Sequence, residues 1–513
     1  MLTITVDRTE LANAAAWAKN ALPRRIPVPI LAGIRCEVTE TGTLNLAAFD
    51  YDWCYRADVS PVAGTDTSRG AMLVTGADMI AAIRALPKGT KRAPVSVTLA
   101  ETETGLTMTC QGITSGLPAL PIDDYPALPD MPAVVCLADG PEWAGAAMRV
   151  FSAAGTDDTL PVLTTVRMTL AGDCCSLAAT DRYRLHCETL PAMTEADVLT
   201  VVMAPRVIVK NVAKIAAKTA DVVFCHQPQI AAENLADTRH ESAGFAVGGY
   251  SVTFRPLEGQ YPRVERLTAD FGAKVTDTIM VDSARLQAAV NRAAAGLARA
   301  GDGVDLQCGP DTITVTATRD GAETYREVIP AAGTPGFVVR ARFNPAYLAD
   351  ALAGIAGDVR MGIGGNGGAV LFAPAETVGT YHALVMQIRI SDATAETYRA
   401  PVSETEPTGT ETASETVPAE TETVPECTPE QGEQWARDHG DGYSYGRYDG
   451  RYGRPARDGA LISVPADRPY ETGAQYITRH LGDAWRIGYT RAYEYETARR
   501  TETVPVPAET ASA

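Results

Sequence analysis

The chain has 513 residues, a net charge of −18, 45% apolar and 21% charged residues. That is the balance of an ordinary soluble globular protein with room for three or four domains. No apolar run approaches ~18 residues, and Met1–Val6 alternates like a strand instead of carrying a signal peptide's basic and apolar segments, so a cytoplasmic protein is expected.

In chain order, the spacing predicts a helix over Glu10–Leu22 and a strand ending in Ala48-Phe49-Asp50. A helix over Ala77–Leu86 and alternating strand text at Val95–Leu99 follow. The proline-rich stretch Leu117–Pro129 excludes helix and central strand and reads as a linker. The same order then recurs. A helix is predicted over Glu142–Ala154, Ala179-Thr180-Asp181 repeats the strand ending, and a helix over Pro205–Lys218 leads to a second linker, Leu257–Pro262. A third, fainter pass has helices over Ser283–Arg299 and Pro345–Ile355, with Ala317-Thr318-Arg319 between them. Strand text follows at Val359–Ile363 and at Ala383–Ile390. The strand endings lie 131 and 138 residues apart, one domain length each. The expected architecture is therefore α+β, with three tandem copies of one domain at 1–129, 130–267 and 268–395. Such repetition suggests a curved or ring-like body.

Composition shifts after residue 395. Residues 396–430 hold nine Glu, no Asp and one Arg, a net charge of −8. This Glu/Thr/Pro text is expected to be a disordered linker that repels DNA. Residues 431–513 form a Tyr/Gly/Arg-rich tail with helical text around Trp485. Within it, Tyr443–Tyr452 alternates rings with arginines, as single-strand binders do, although a soluble appendage is the plainer reading.

Chemistry-bearing constellations are few. The ten cysteines are scattered, with no C-x-x-C pair and little His, so reduced thiols are expected and no metal or other cofactor. Gly362–Gly367 satisfies G-x-G-x-x-G, but strand text follows it, which makes it a hairpin turn. Asp123-Asp124 and Asp157-Asp158 read as loop acids. No nucleophile–base pair emerges, so an enzyme is not expected. The strongest signal is basic. Arg206, Lys210, Lys214 and Lys218 recur every four residues with no acid between Pro205 and Thr219. A step of four turns about 400°, so the row stays on one side of the helix. Arg285, Arg292 and Arg299 lie seven apart on another helix, and Lys19, Arg84, Lys88 and Arg149 fall on or beside the matching helices. Such faces suit sequence-independent phosphate contact.

Four ordered motifs carry a resemblance: Arg25-Ile26-Pro27-Val28-Pro29-Ile30-Leu31, Leu120-Pro121-Ile122-Asp123-Asp124-Tyr125-Pro126, Ala179-Thr180-Asp181-Arg182-Tyr183-Arg184-Leu185 and Glu258-Gly259-Gln260-Tyr261-Pro262. With them the chain resembles, from Met1 to about Ile390, the β subunit of bacterial DNA polymerase III, the β sliding clamp family. The resemblance implies a head-to-tail homodimer of six domains, helices inside and antiparallel sheets outside, encircling double-stranded DNA as a replication processivity factor. Arg25 and Arg206 fall where that family contacts DNA. It also implies a pocket between the second and third copies for short peptides of the replicative polymerase, the clamp loader and other clamp-motif proteins. By position its wall is Leu163, Thr180, Arg182, Tyr183, Arg184, Leu185, Pro262, Arg266, Leu267, Asn344, Tyr347, Met386, Ile388, Arg389 and Ile390. The family's M-P-M-R-L ending reads Met386-Gln387-Ile388-Arg389-Ile390 here, and Ser115, Ala295 and Gly296 replace large apolar residues at the implied subunit interface. The alternative is a monomeric clamp-like adaptor or decoy that binds clamp-motif peptides without encircling DNA.

Overall fold

The computed structural model describes residues 1–388 apart from 24, 26–27, 91, 195–199, 230–240, 273–274, 298–301, 320–321, 334–338, 365–367 and 376–380. Three copies of one topology fill it, each made of two β–α–β–β–β halves. The first copy runs Thr3–Asp7, helix α1 (Arg8–Ala18), Gly33–Val38, Leu44–Phe49 and Trp53–Val59. It continues with Gly70–Thr75, α2 (Gly76–Ala85), Ser96–Thr102, Gly105–Cys110 and Ile113–Leu120. The second runs Val134–Asp139, α3 (Gly140–Phe151), Thr165–Ala171, Cys174–Thr180 and Arg184–Pro191. Its second half is Thr200–Pro205, α4 (Arg206–Ala216), Asp221–Gln227, Ser242–Val247 and Tyr250–Phe254. Helix α5 (Val264–Gly272) precedes the third copy, Val275–Asp282, α6 (Ser283–Ala295), Val304–Cys308, Thr312–Arg319 and Ala322–Pro330. That copy closes with Val339–Phe343, α7 (Pro345–Leu352), Asp358–Gly364, Ala369–Pro374 and Tyr381–Met386.

The two halves of a copy interlock. Thr3–Asp7 pairs with Ser96–Thr102 of the other half, while Gly70–Thr75 pairs back with Gly33–Val38. Each first helix begins at an aspartate that ends the preceding strand. Asp7, Asp139 and Asp282 accept backbone N–H groups of α1, α3 and α6, which satisfies donors the helix leaves unpaired. Alanine-rich inner faces let paired helices pack over the sheets: Ala14, Ala15 and Ala18 in α1, Ala144, Ala146 and Ala147 in α3, and Ala289 and Ala293 in α6 are all buried. The first two copies share one continuous core and the third has its own.

The copies are joined by sheet continuation. Tyr250–Phe254 lies antiparallel to Trp53–Val59, with Phe254 opposite Trp53. Tyr381–Met386 lies antiparallel to Arg184–Pro191 in the same way, with Val385 opposite Arg184. Each later copy thus lays its last strand against the fourth strand of the copy before it. At the equivalent positions two strands lack such a partner among the described residues: Ala322–Pro330 of the third copy pairs only with Thr312–Arg319, and Ile113–Pro118, most of the first copy's last strand, pairs only with Gly105–Cys110. Val328 and Ile113 stand exposed on these strands.

Several predicted boundaries shift. The first helix is α from Arg8 to Ala18 and tightens to a 3-10 turn at Lys19–Ala21. Helix α6 stops at Ala295, where Gly296 caps it, and α4 and α7 stop at Ala216 and Leu352. The final strand ends at Met386, after which the Ile388 N–H donates to the Arg342 carbonyl of the neighbouring sheet at 2.7 Å. Asp358–Gly364 and Ala369–Pro374 pair as the expected hairpin around the glycine cluster. Arg299, Arg389, Ile390 and the whole tail lie outside the described residues.

Candidate nucleic-acid and peptide interfaces

Helix α4 buries Ile208, Val209, Val212, Ala213 and Ala216 and turns its basic row outward. Lys214 and Lys218 are exposed. Lys210 is half-buried, its ammonium nitrogen lying 5.1 Å from the centre of the Phe151 ring in a cation–π contact. Among the described residues no carboxylate engages these three lysines, nor Lys19, Arg25, Arg84, Lys88 or Arg285. Lys19, Arg25, Arg84, Lys88 and Arg285 are all exposed.

Three expected DNA contacts do other work. Arg206 lies 4.8 Å over the Phe151 ring and donates from Nη1 to the carbonyls of Gly155, at 2.8 Å, and Ala154, at 3.2 Å. It ties α4 to the end of α3, and burial lowers its pKa. Arg149 grips Glu188 in a two-pronged pair, with Nε to Oε2 at 2.7 Å and Nη2 on Oε1. Its stem also reaches the third copy. A Cβ built on Gly354, a residue held at φ +134°, would come within 2.5 Å of Arg149 Cδ. Arg149 is therefore an inter-copy strut. Arg292 is held by Glu327 at 2.7 Å and by the Tyr325 hydroxyl at 3.2 Å, beside the free edge strand.

Beside Arg149 sits His186, wholly buried, its Nδ1 within 3.0 Å of the Arg149 carbonyl and 3.1 Å of Ser152 Oγ. The Tyr381 hydroxyl of the third copy lies 3.5 Å from the same nitrogen. Burial lowers the His186 pKa to about 4, so it stays neutral. Burial also raises the pKa of Glu188 despite the opposing pull of Arg149.

The junction of the second and third copies brings together several of the residues expected to line a peptide pocket. The Asp181 Oδ1 accepts the N–H groups of Tyr183 and Arg184, both at 3.0 Å, and Arg182 takes a left-handed conformation at φ 79°. Thr180 closes the turn by donating to the Arg184 carbonyl at 2.7 Å. The first copy builds the same turn, where Asp50 accepts the Asp52 and Trp53 N–H groups around Tyr51 at φ 77°. Arg184 crosses to the third copy, pairing with Asp350 at 2.5 Å and lying 4.3 Å over the Tyr347 ring. Tyr347 in turn stacks on Tyr183 at 6.4 Å. Asn344 caps α7 beneath Tyr347. Met386 is anchored through its N–H to the Tyr183 carbonyl at 2.8 Å.

The side chains of Tyr183, Leu267 and Met386 are left exposed in the open, at 56%, 47% and 42%, an apolar surface without cover. Leu163 and Pro262 are half-buried, and Arg182 and Arg266 exposed, with Arg266 pairing Asp270 at 3.3 Å. Leu185 is only 4% exposed and belongs to a small core with Val264 and Leu384, so it is a packing residue and not an exposed wall. Ile388 is half-buried against the far sheet. The sequence reading missed Asp350 and Glu188, whose importance lies in partners many residues away.

Among the described residues no group of His, Cys, Asp and Glu suits a metal ion, and no helix is long and apolar enough to cross a membrane. Burial pushes the thiols of Cys36 and Cys308 up to about 12, which leaves them unreactive packing groups.

Comparison with known proteins places this architecture. Residues 2–129 match the family model of the DNA polymerase III beta subunit N-terminal domain, and residues 143–263 that of its central domain. The beta sliding clamp of Streptomyces coelicolor is 33% identical over 356 residues, 69% of this chain and 89% of that protein. A beta sliding clamp homolog, GriR of Streptomyces muensis, is 30% identical over 68% of this chain and 87% of its own length. The crystal structure of the DNA polymerase sliding clamp from Bacillus subtilis superposes with a TM-score of 0.66 at 19% identity, covering 76% of this chain and 99% of that one. The Pseudomonas aeruginosa clamp bound to griselimycin gives 0.65 at 19% identity, over 76% of this chain and all of its own. With its three repeated copies, its lysine-bearing helices and this degree of identity along the body, the chain belongs to the β sliding clamp family of DNA polymerase III β subunits.

Proposed function

We propose that this protein is a DNA sliding clamp, a homodimer that closes around duplex DNA and tethers the replicative polymerase and other clamp-motif proteins. Its three domains would span 1–129, 130–267 and 268–395, and it would act in the cytoplasm. The observation that carries the reading is the joint between copies. The same strand pairing is used twice within the chain, and the two strands at the equivalent positions that lack that partner among the described residues, Ile113–Pro118 and Ala322–Pro330, supply the two halves of a third such joint. Head-to-tail pairing with a second copy uses that joint at both ends and closes a ring instead of growing a filament. An exposed edge strand is otherwise a liability.

DNA is held by topology and by weak phosphate contacts from Lys210, Lys214, Lys218, Lys19, Arg25, Arg84, Lys88 and Arg285. Arg149, Arg206 and Arg292 support the frame. The peptide pocket uses Tyr183, Leu267, Met386 and Tyr347 as its apolar surface, over a frame of Arg184 and Asp350. An extended peptide with apolar anchors fits such a cleft. No catalytic step is assigned.

The deciding experiment is the solution mass together with loading onto nicked circular DNA. A dimer retained on circles and lost on linearisation is expected. Replacing Lys210, Lys214 and Lys218 by Glu should weaken retention at low salt without unfolding the protein, since surface helix changes cost little stability. A monomer that binds clamp-motif peptides but never stays on circles would instead establish the adaptor reading. The small Ser115, Ala295 and Gly296 beside the free edges favour that reading.

A further inference from the structure

Lys210 and Lys214 on α4, with Lys218 two residues past its end, form a row of three cations with no carboxylate against them among the described residues, in a chain whose net charge is −18. The described chain ends at Ile388, at the joint between the third copy and the second, which carries α4. Another 125 residues follow. Among them, Glu404, Glu406, Glu411, Glu415, Glu420, Glu422, Glu426 and Glu430 occur with no Lys, Arg or Asp between the first and the last. We infer that the segment Glu404–Glu430 docks on the Lys210–Lys214–Lys218 face of the free protein and competes with DNA for it.

Three considerations support that occupant. The charges are complementary: the lysines stand about 6 Å apart along the helix, and carboxylates two to five residues apart on an extended strand can follow them. The segment reaches. Glu404 lies sixteen positions on from Ile388, and at ~3.3 Å per residue that stretch extends to about 50 Å, beyond the ~30 Å width of a small domain. Attachment also gives the segment an effective concentration on the order of millimolar, so weak ion pairs suffice. The inference rests on the lysine face being the DNA site for its regulatory meaning, though not for the docking itself. Duplex DNA, with one charge per ~1.7 Å, then displaces the segment once it enters.

The test uses the full chain and a variant in which all eight glutamates become Gln. Zero-length carbodiimide cross-linking without DNA is expected to join Lys210, Lys214 or Lys218 to glutamates of 404–430, and excess duplex or 0.5 M salt should abolish those links. In anisotropy titrations with a short linear duplex, the Gln variant should bind about tenfold tighter at 50 mM salt, and the gap should close as salt rises. Links that avoid α4, or equal affinities of the two proteins, would overturn the inference. Links on α4 that duplex fails to displace would overturn the competition and would also show that DNA is bound elsewhere.

Discussion

Replacing Arg149 by Met distinguishes a strut from a phosphate contact. The Arg149 and Glu188 side chains are 26% and 9% exposed, and their two-pronged pair sits where α3 meets the third copy. Removing the arginine strands a buried carboxylate, and breaking a buried pair from one side costs about 3–5 kcal/mol. At a urea slope of ~2 kcal/mol per M, the midpoint should fall by about 1.5–2.5 M. The double variant Arg149→Met with Glu188→Leu removes both charges and keeps the volume, so it should return to within about 1 kcal/mol of the parent. Urea denaturation of the three proteins gives the stabilities, and duplex affinity from 50 to 200 mM salt gives the number of phosphates contacted. A strut leaves the salt slope unchanged. If Arg149→Met keeps the parental midpoint while the slope drops by ~0.9, the residue is a phosphate contact after all.

Met386→Ala with Leu185→Ala should abolish binding of a polymerase-derived peptide, since burying each side chain contributes roughly 1.5–3 kcal/mol. Because Leu185 is core, Met386→Ala alone should lower peptide affinity about tenfold with no change in unfolding, and unaltered affinity in both variants would place the peptide elsewhere. His186 gives a pH signature. The unfolded chain protonates it near 6.5 and the folded protein only near 4, so stability is complete above 6.5 and falls as pH drops toward 4, by about 3 kcal/mol. His186→Phe should flatten that window, and an unchanged pH profile would disprove the burial account. Truncation after Ile390 should leave a folded body that loads onto circular DNA, because the last described strand, Tyr381–Met386, is already complete; loss of dimer or loading on truncation would make the tail part of the working ring.

The triple repeat, six of the seven α-helices among the described residues and the lysine row of α4 were legible from local text. They depend on periodicity, prolines and turn residues, which act over a few positions. The strand ending at Ala179-Thr180-Asp181 was legible as well, whereas the Asp-centred turn that follows it was not read, although its hydrogen bonds stay within four residues. The short helix α5 was missed, because its apolar face covers only a small satellite core. What the tertiary structure alone decided is which cations are free. Arg149, Arg206 and Lys210 read alike in the sequence. Yet Glu188 waits 39 residues from Arg149, and the carbonyls that hold Arg206 lie 51 and 52 residues away. Likewise Arg184 meets Asp350 across 166 residues, and only sheet continuation between copies brings them together. A side chain's charge is written in the sequence, but whether that charge meets a carboxylate or water depends on strand register and on which copies adjoin, and neither has a local signature.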